Sequence, residues 1–260
     1  MNTTLTFTLL QSHLHWEDKE ANMKMFAEKL QQLEGKHEIV VLPEMFTTGF
    51  SMNPSALAEP MNGTTIQWMT QLAARHKIIL TGSIMIAEEE HYYNRLIWMQ
   101  PNGEYGYYDK RHLFSYGGED KAFSPGDKKL IAQVKGWKIC TQICYDLRFP
   151  VWSRQHKENP YDVLLYVANW PEKRIHAWKT LLQARAIENQ CYVVAVNRIG
   201  VDGKGLHYNG ESCVVNPLGE VQYCPLNEDG QLTVSLDKNE LNAIRDQFPF
   251  LKDADDFVIL

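Results

Sequence analysis

Three residues of different chemical type stand where apolar runs break off. Glu44 follows Ile39-Val40-Val41-Leu42-Pro43, Lys110 follows Tyr107-Tyr108-Asp109, and Cys144 follows Gln142-Ile143. A thiol, a carboxylate and an ammonium are the parts needed to move an acyl group from an amide to water through a thioester. A free thiol is only a few per cent thiolate at neutral pH, so it needs a base. A carboxylate within hydrogen-bond reach can take its proton during attack on a carbonyl and later return it to a leaving amine. An ammonium, with backbone N–H groups, can hold the oxyanion that develops. Taken singly, each residue also has an ordinary reading. Glu44 could be a solvated loop carboxylate, Lys110 part of the charge run Asp109-Lys110-Arg111-His112, and Cys144 a small packed hydrophobe.

The chemistry requires elements that bring the three together. In α/β sheets, ligand sites form beyond the carboxyl ends of strands, and the residues before each of the three read as strands. Trp137 to Ile143 is a strand that Tyr145-Asp146-Leu147-Arg148-Phe149-Pro150 cannot continue smoothly, which puts Cys144 at the break. Other strands are expected at Thr4 to Leu10, Glu38 to Leu42, Ile78 to Ile86, Asn94 to Met99, Tyr105 to Tyr108, Leu130 to Val134, Asp162 to Ala168 and Tyr192 to Val196. Helical spacing marks 18–33, 64–75, 174–189 and 238–247, with a short helix at Val151 to Lys157. Asn102-Gly103 and Lys135-Gly136 signal hairpins, and a third, Gly210 to Tyr223, turns at Asn216-Pro217-Leu218-Gly219. Residues 110–128 have no clear period, as functional loops often do not. Alternation of strand and helix predicts an α/β layered architecture, and the hairpins make its sheets mixed. No linker composition or repeat divides the chain, so one domain is expected over residues 1–260.

Composition removes other classes. With 44% hydrophobic and 22% charged residues the chain is neither disordered nor fibrous. A net charge of −6 disfavours a general nucleic-acid binder. The longest apolar runs, Val163 to Ala168 and Cys191 to Val196, fall far short of the roughly 20 residues that span a bilayer. Met1-Asn2-Thr3-Thr4-Leu5 shows neither a basic segment nor a long apolar one, so no secretory leader is expected. With five cysteines, an odd number, this points to free thiols in a cytoplasmic setting. Cys140, Cys191, Cys213 and Cys224 sit in apolar patterns that suit packing. Cys140 and Cys144 form one short-spaced pair, but no second Cys or His pair joins them, so no metal site is expected.

Six segments in order resemble the nitrilase, or carbon–nitrogen hydrolase, superfamily. They are Val41-Leu42-Pro43-Glu44-Met45-Phe46, Tyr108-Asp109-Lys110-Arg111-His112-Leu113-Phe114, Glu119 to Asp127, Cys144 to Pro150, Ala184 to Asn189 and Gly210 to Val221. The resemblance implies an α-β-β-α sandwich of two stacked mixed sheets with helices on the outer faces. It implies Cys144 as nucleophile, Glu44 as base and then acid, and Lys110 with the Tyr145 backbone N–H as oxyanion donors. Glu119 would orient Lys110 or assist at the substrate. Asp146 and Arg148 would hold the turn after the nucleophile by an ion pair, and Arg185 and Glu188 read as structural charges. Neither metal nor organic cofactor is implied, and a homodimer through the helical face is.

Within the superfamily, Leu42 to Phe50, Asp109 to Phe114 and Val167-Ala168-Asn169-Trp170-Pro171 look like the bacterial omega-amidases, which deamidate 2-oxoglutaramate and 2-oxosuccinamate. Phe46, Phe114, Tyr145 and Trp170 are the expected pocket walls, and Arg174 or another basic group would meet a substrate carboxylate. An N-carbamoyl-amine or aliphatic amide hydrolase with the same triad, and a non-enzymatic subunit that kept the fold, are the competing readings.

Overall fold

The computed structural model describes residues 3–259; Met1 and Asn2, part of the segment expected not to be a leader, and Leu260, at the end of the expected domain, lie outside the described residues. In chain order the strands are β1 (Thr4–Gln11), β2 (Ile39–Val41), β3 (Ile79–Glu88), β4 (His91–Met99), β5 (Tyr105–Asp109), β6 (Leu130–Val134), β7 (Trp137–Ile143), β8 (Val163–Ala168), β9 (Tyr192–Asn197), β10 (Ile199–Val201), β11 (His207–Asn209), β12 (Cys213–Val215), β13 (Val221–Tyr223) and β14 (Gly230–Asp237). The helices are α1 (Lys19–Gln32), α2 (Pro54–Leu57), α3 (Thr64–His76), α4 (Glu119–Ala122), α5 (Pro150–Ser153), α6 (Ile175–Asn189) and α7 (Lys238–Gln247).

These strands form two six-stranded mixed sheets, ordered β14-β1-β2-β3-β4-β5 and β13-β12-β9-β8-β7-β6, with β10 and β11 as a separate ribbon. The parallel strands β7, β8 and β9 are buried along nearly their whole length, and β8 and β9 accordingly read as unbroken apolar runs up to Ala168 and Val196. The β6–β7 hairpin turns at Lys135 (φ 49°) and Gly136 (φ 82°), the two positive φ values that a tight hairpin turn requires.

One continuous core joins the sheets face to face. Leu5, Phe7, Leu9, Val41 and Trp98 come from the first, and Ile139, Val163, Leu165 and Val193 from the second. Each such side chain contributes ~1.5–3 kcal/mol on burial. A second core lies outside the first sheet, where Phe26 and Leu30 of α1 and Ile66, Met69 and Leu72 of α3 cover Val40, Leu80 and Ile97. On the far side, Trp178, Leu182 and Ala186 give α6 its buried stripe. The α-β-β-α sandwich is thus the architecture present.

Two elements depart from the sequence reading. Strand β14 was not expected, yet it pairs antiparallel with all of β1, from Thr4 opposite Asp237 to Gln11 opposite Gly230. Its alternation of Leu232, Val234 and Leu236 with exposed Gln231, Thr233 and Ser235 is the local signal. The short helix expected at Val151 to Lys157 is only Pro150–Ser153. Beyond it the Gln155 N–H donates to Asn189 Oδ1 at 2.9 Å and its side-chain amide to the Asn189 carbonyl at 2.7 Å, so the end of α6 captures the backbone.

Candidate active site

Lys110 and Cys144 directly follow the last residues of β5 and β7, Glu44 stands three residues past the end of β2, and the two stacked sheets bring those ends together. Leu42 is still anchored to β3 through its N–H to the Thr81 carbonyl (2.7 Å). The chain then turns sharply at Met45, whose φ is 43°, with its N–H on Ser83 Oγ at 2.9 Å. Gly82 makes that turn possible: a Cβ there would stand 2.8 Å from Leu42 Cβ and 2.9 Å from the Phe46 ring. Lys110 is fixed by its N–H to the Asn94 carbonyl (3.0 Å) and by its own carbonyl, which accepts from Gly126 N (3.0 Å). A Cβ on Gly126 would fall 2.3 Å from the Asp109 carbonyl oxygen, so only glycine allows this approach.

Lys110 Nζ donates to Glu44 Oε1 at 2.9 Å and to Glu119 Oε1 and Oε2 at 3.0 and 2.8 Å, and all three side chains are completely buried. Asn94 Nδ2 joins the same carboxylates, at 2.8 Å from Glu44 Oε1 and 3.1 Å from Glu119 Oε1. The other oxygen of Glu44 accepts from the backbone N–H of Asn169 at 2.8 Å, while Asn169 Nδ2 donates to the Glu44 carbonyl at 2.6 Å. Phe114 N–H holds Glu119 Oε2 at 2.6 Å, tying the loop after Lys110 to the cluster. Cys144 Sγ lies 3.9 Å from the Asn169 carbonyl.

The electrostatics follow from this packing. Burial alone would discharge Lys110, but the Glu119 and Glu44 carboxylates outweigh it and raise its pKa, so the ammonium is kept. Burial raises Glu119, opposed by Lys110 and reinforced by Glu44. Burial also pushes the Cys144 thiol well above its ordinary range; Glu44 adds to the shift and Lys110 opposes it. The resting sulfur is therefore a neutral thiol, and a nucleophile arises only if its proton is removed during attack.

Cys144 has φ 44°, a left-handed conformation that costs a non-glycine residue ~1–2 kcal/mol. Asp146 holds it there. Its carboxylate accepts from the Ile143 N–H (3.0 Å), Tyr108 Oη (2.7 Å), the His112 N–H (3.0 Å) and His112 Nδ1 (2.8 Å). Burial, with the Asp146 charge, keeps the Tyr108 phenol protonated and able to donate. His112 stacks on Phe149 at 3.8 Å. This corrects the expected Asp146–Arg148 ion pair: four donors already occupy Asp146, and Arg148 instead lies over the Trp170 ring at 4.9 Å. Arg185 is structural as expected, donating to the Leu147 carbonyl (2.7 Å) and to Glu188 (3.0 Å).

A cavity of about 310 Å³ opens above Cys144, with Lys110 and Asn169 also in its wall. Phe114, Tyr145 and Trp170 line it. Phe46 does not. The turn at Met45 sends its ring into the helix-side core, 5.7 Å from Phe26 and 5.8 Å from Trp68. Sequence reasoning missed Asn94 and Asn169 as ligands of Glu44. Their one signal is an amide inside or at the end of an otherwise buried apolar strand, where it needs partners. Among the described residues, no group of three or more His, Cys, Asp or Glu is placed to hold a metal.

The family model described as carbon-nitrogen hydrolase matches residues 7–246. The chain belongs to the carbon–nitrogen hydrolase family. Among curated members, it is 42% identical over 259 residues to the omega-amidase YafV of Yersinia enterocolitica, covering 99% of this chain and 100% of that one. It is 33% identical over 252 residues to the 2-oxoglutaramate amidase of Bacillus subtilis, covering 95% and 96%. Among solved members, a superfamily protein of Xanthomonas campestris with an arsenic adduct in its active site superposes with a TM-score of 0.96 at 43% identity, covering 99% of each chain. In this member of the family, a thiol and an ammonium, those of Cys144 and Lys110, line one small cavity, and two buried carboxylates, Glu44 and Glu119, hold that ammonium.

Proposed function

We propose that this carbon–nitrogen hydrolase is an omega-amidase, cleaving the terminal amide of 2-oxoglutaramate, and of 2-oxosuccinamate, to the 2-oxo dicarboxylate and ammonia. The observation that carries this reading is the buried Glu44–Lys110–Glu119 cluster, whose Lys110 shares the cavity wall with Cys144, in a chain so similar to enzymes of that name.

In this reading Cys144 Sγ adds to the amide carbon as its proton passes to Glu44. The carbonyl oxygen takes up the negative charge, facing Lys110 Nζ and the Tyr145 N–H. That N–H lies in the first turn of the short helix beginning at Cys144, where backbone donors have no partner within the helix. The tetrahedral species collapses, the carbon–nitrogen bond breaks, and the nitrogen takes the proton from Glu44 and leaves as ammonia. Water then adds to the thioester as Glu44 takes its proton. The carbon–sulfur bond breaks, the sulfur regains a proton, and the acid is released. Glu119 keeps Lys110 charged and in place.

Residues 1–260 act as one catalytic domain in this proposal. A homodimer through the helical face accounts for Val151 of α5, Ile187 of α6 and Phe250, each more than half exposed. Five buried, unbridged cysteines suit a cytoplasmic setting. No helix among the described residues is long and apolar enough to cross a membrane.

The test is ammonia release from 2-oxoglutaramate, run beside N-carbamoyl compounds and simple aliphatic amides. Cys144→Ala and Glu44→Gln should each lower kcat by several orders of magnitude while the protein still folds. Faster turnover of N-carbamoyl compounds would move the assignment to that class, and no turnover of any amide would leave a non-enzymatic subunit.

A further inference from the structure

Apart from exposed Arg75, the arginines of this protein divide into two sets. Arg95, Arg111, Arg154, Arg185, Arg198 and Arg245, all buried or half-buried, each donate a side-chain hydrogen bond to a carboxylate or a carbonyl. Arg148 and Arg174 are also half-buried, yet neither guanidinium has a hydrogen bond or ion pair with any described residue. Both line the cavity above Cys144.

Each lies over the face of an aromatic ring instead. Arg148 lies over Trp170 at 4.9 Å and Arg174 over Phe114 at 5.2 Å. The rings are themselves fixed. Trp170 Nε1 donates to the Arg174 carbonyl at 2.9 Å, and its backbone N–H to Asn197 Oδ1 at 2.7 Å. Phe114 packs edge-on against Tyr145 at 5.0 Å, and its N–H is bound to Glu119. A cation–π contact holds a guanidinium in place but uses none of its five N–H donors. The one acid in the cavity wall, Asp202, is already engaged: it accepts from the Lys204 and Leu206 N–H groups at 2.8 and 2.9 Å and from Tyr208 Oη at 3.0 Å. Two positioned, unspent guanidinium forks therefore face a cavity with no free anion of its own.

We propose that Arg148 and Arg174 form a two-arginine clamp for the carboxylate end of the substrate, while its amide lies at Cys144. This rests on the amidase reading above and specifies what it leaves open: which groups make the enzyme select an amide that carries a carboxylate. Arginine suits the task because its planar fork pairs two N–H groups with two carboxylate oxygens, and a 2-oxo acid presents a third oxygen beside them. Preorganised by these contacts, the clamp loses little side-chain freedom when it closes on the anion. A neutral amide of the same length would leave both guanidiniums without acceptors, so the clamp selects as well as binds.

The experiment compares kcat/KM for 2-oxoglutaramate with that for its methyl ester, a neutral amide of the same chain length, in the wild type, Arg148→Gln, Arg174→Gln and the double variant. The wild type should prefer the anion. That preference should fall at least tenfold in each single variant and at least a hundredfold in the double, through KM more than kcat. Arg174→Lys should recover only a small part of it. A binding measurement covers any variant that folds poorly: 2-oxoglutarate should inhibit the wild type at least tenfold more strongly than its monomethyl ester at C1. Variants that keep the wild-type preference within threefold, or equal inhibition by acid and ester, would overturn the clamp while the amidase reading stands. A wild type that does not hydrolyse 2-oxoglutaramate would overturn the amidase reading itself, and the clamp with it.

Discussion

Replacing Asp146 by Asn tests whether its carboxylate holds the turn that presents Cys144. The change is nearly isosteric, yet it converts an acceptor of four hydrogen bonds into a group with one accepting oxygen. If the carbonyl oxygen takes the place facing His112, the new NH₂ meets the Ile143 N–H and Tyr108; if it turns over, the NH₂ meets the His112 N–H. Tyr108 can rotate its hydroxyl and His112 can change tautomer, but one main-chain N–H is always left without an acceptor. Hydrogen bonds to a charged group are worth ~1.5–3 kcal/mol each, and an orphaned buried donor costs ~1–3 kcal/mol. With one such bond lost and one donor stranded, the fold should weaken by roughly 3–5 kcal/mol. For a chain of this size each kcal/mol lowers Tm by ~2 °C, so the expected shift is about 6–10 °C. Calorimetric melting of Asp146→Asn beside the wild type reads it directly. Because the same carboxylate supports a left-handed Cys144, kcat should fall as well, by ~100-fold, since small misplacements of a nucleophile are costly. A variant that melts within 2 °C of the wild type and retains its kcat would refute the idea that Asp146 holds the turn.

Other substitutions and conditions address the remaining parts. Asn94→Ala removes the amide shared by Glu44 and Glu119 and should lower kcat ~10–100-fold with little change in KM; unchanged steady-state kinetics would count against a positioning role. Gly126→Ala drives a methyl group against the Asp109 carbonyl, so both Tm and kcat should drop, by ~1–3 kcal/mol of stability and at least tenfold in rate; a crystal structure showing Lys110 unmoved would contradict this. Because burial raises the Cys144 pKa, its thiolate fraction at any given pH is smaller than that of free cysteine, and the inflection moves upward. Iodoacetamide should therefore alkylate Cys144 more slowly than free cysteine at pH 8, and an inflection at or below ~8.5 would be the contrary result.

How much was legible in advance depended on the range of the interaction. Short-range signals were sufficient for hairpins such as Asn102-Gly103 and Lys135-Gly136, whose turns need particular backbone angles. The strand breaks before Glu44, Lys110 and Cys144 were visible too, because a buried strand ends abruptly in composition. That those breaks meet is a matter of sheet stacking, which no local pattern states. Strand β14 was overlooked because its partner β1 lies more than 200 residues earlier, and alternation in a single short run is weak without that partner. Phe46 and Arg148 were misplaced for a common reason. Each follows a residue of positive φ, Met45 or Cys144, within four positions, and such a turn redirects the side chains after it. Asn94 and Asn169 were invisible as ligands because an amide in a strand carries no mark of which carboxylate it will meet.

The closure of the first sheet by β14 also bears on how the protein is made. During synthesis β1 has only β2 as a neighbour until residues 230–237 leave the ribosome. At ~5–20 residues per second, the roughly 190 residues between β2 and β14 take on the order of 10–40 s to translate. For that interval a whole edge of backbone donors and acceptors, flanked by Leu5, Phe7 and Leu9, is open to pairing with other nascent chains. Emergence of residues 230–237, rather than of Cys144, is therefore the point at which this edge of β1 is covered.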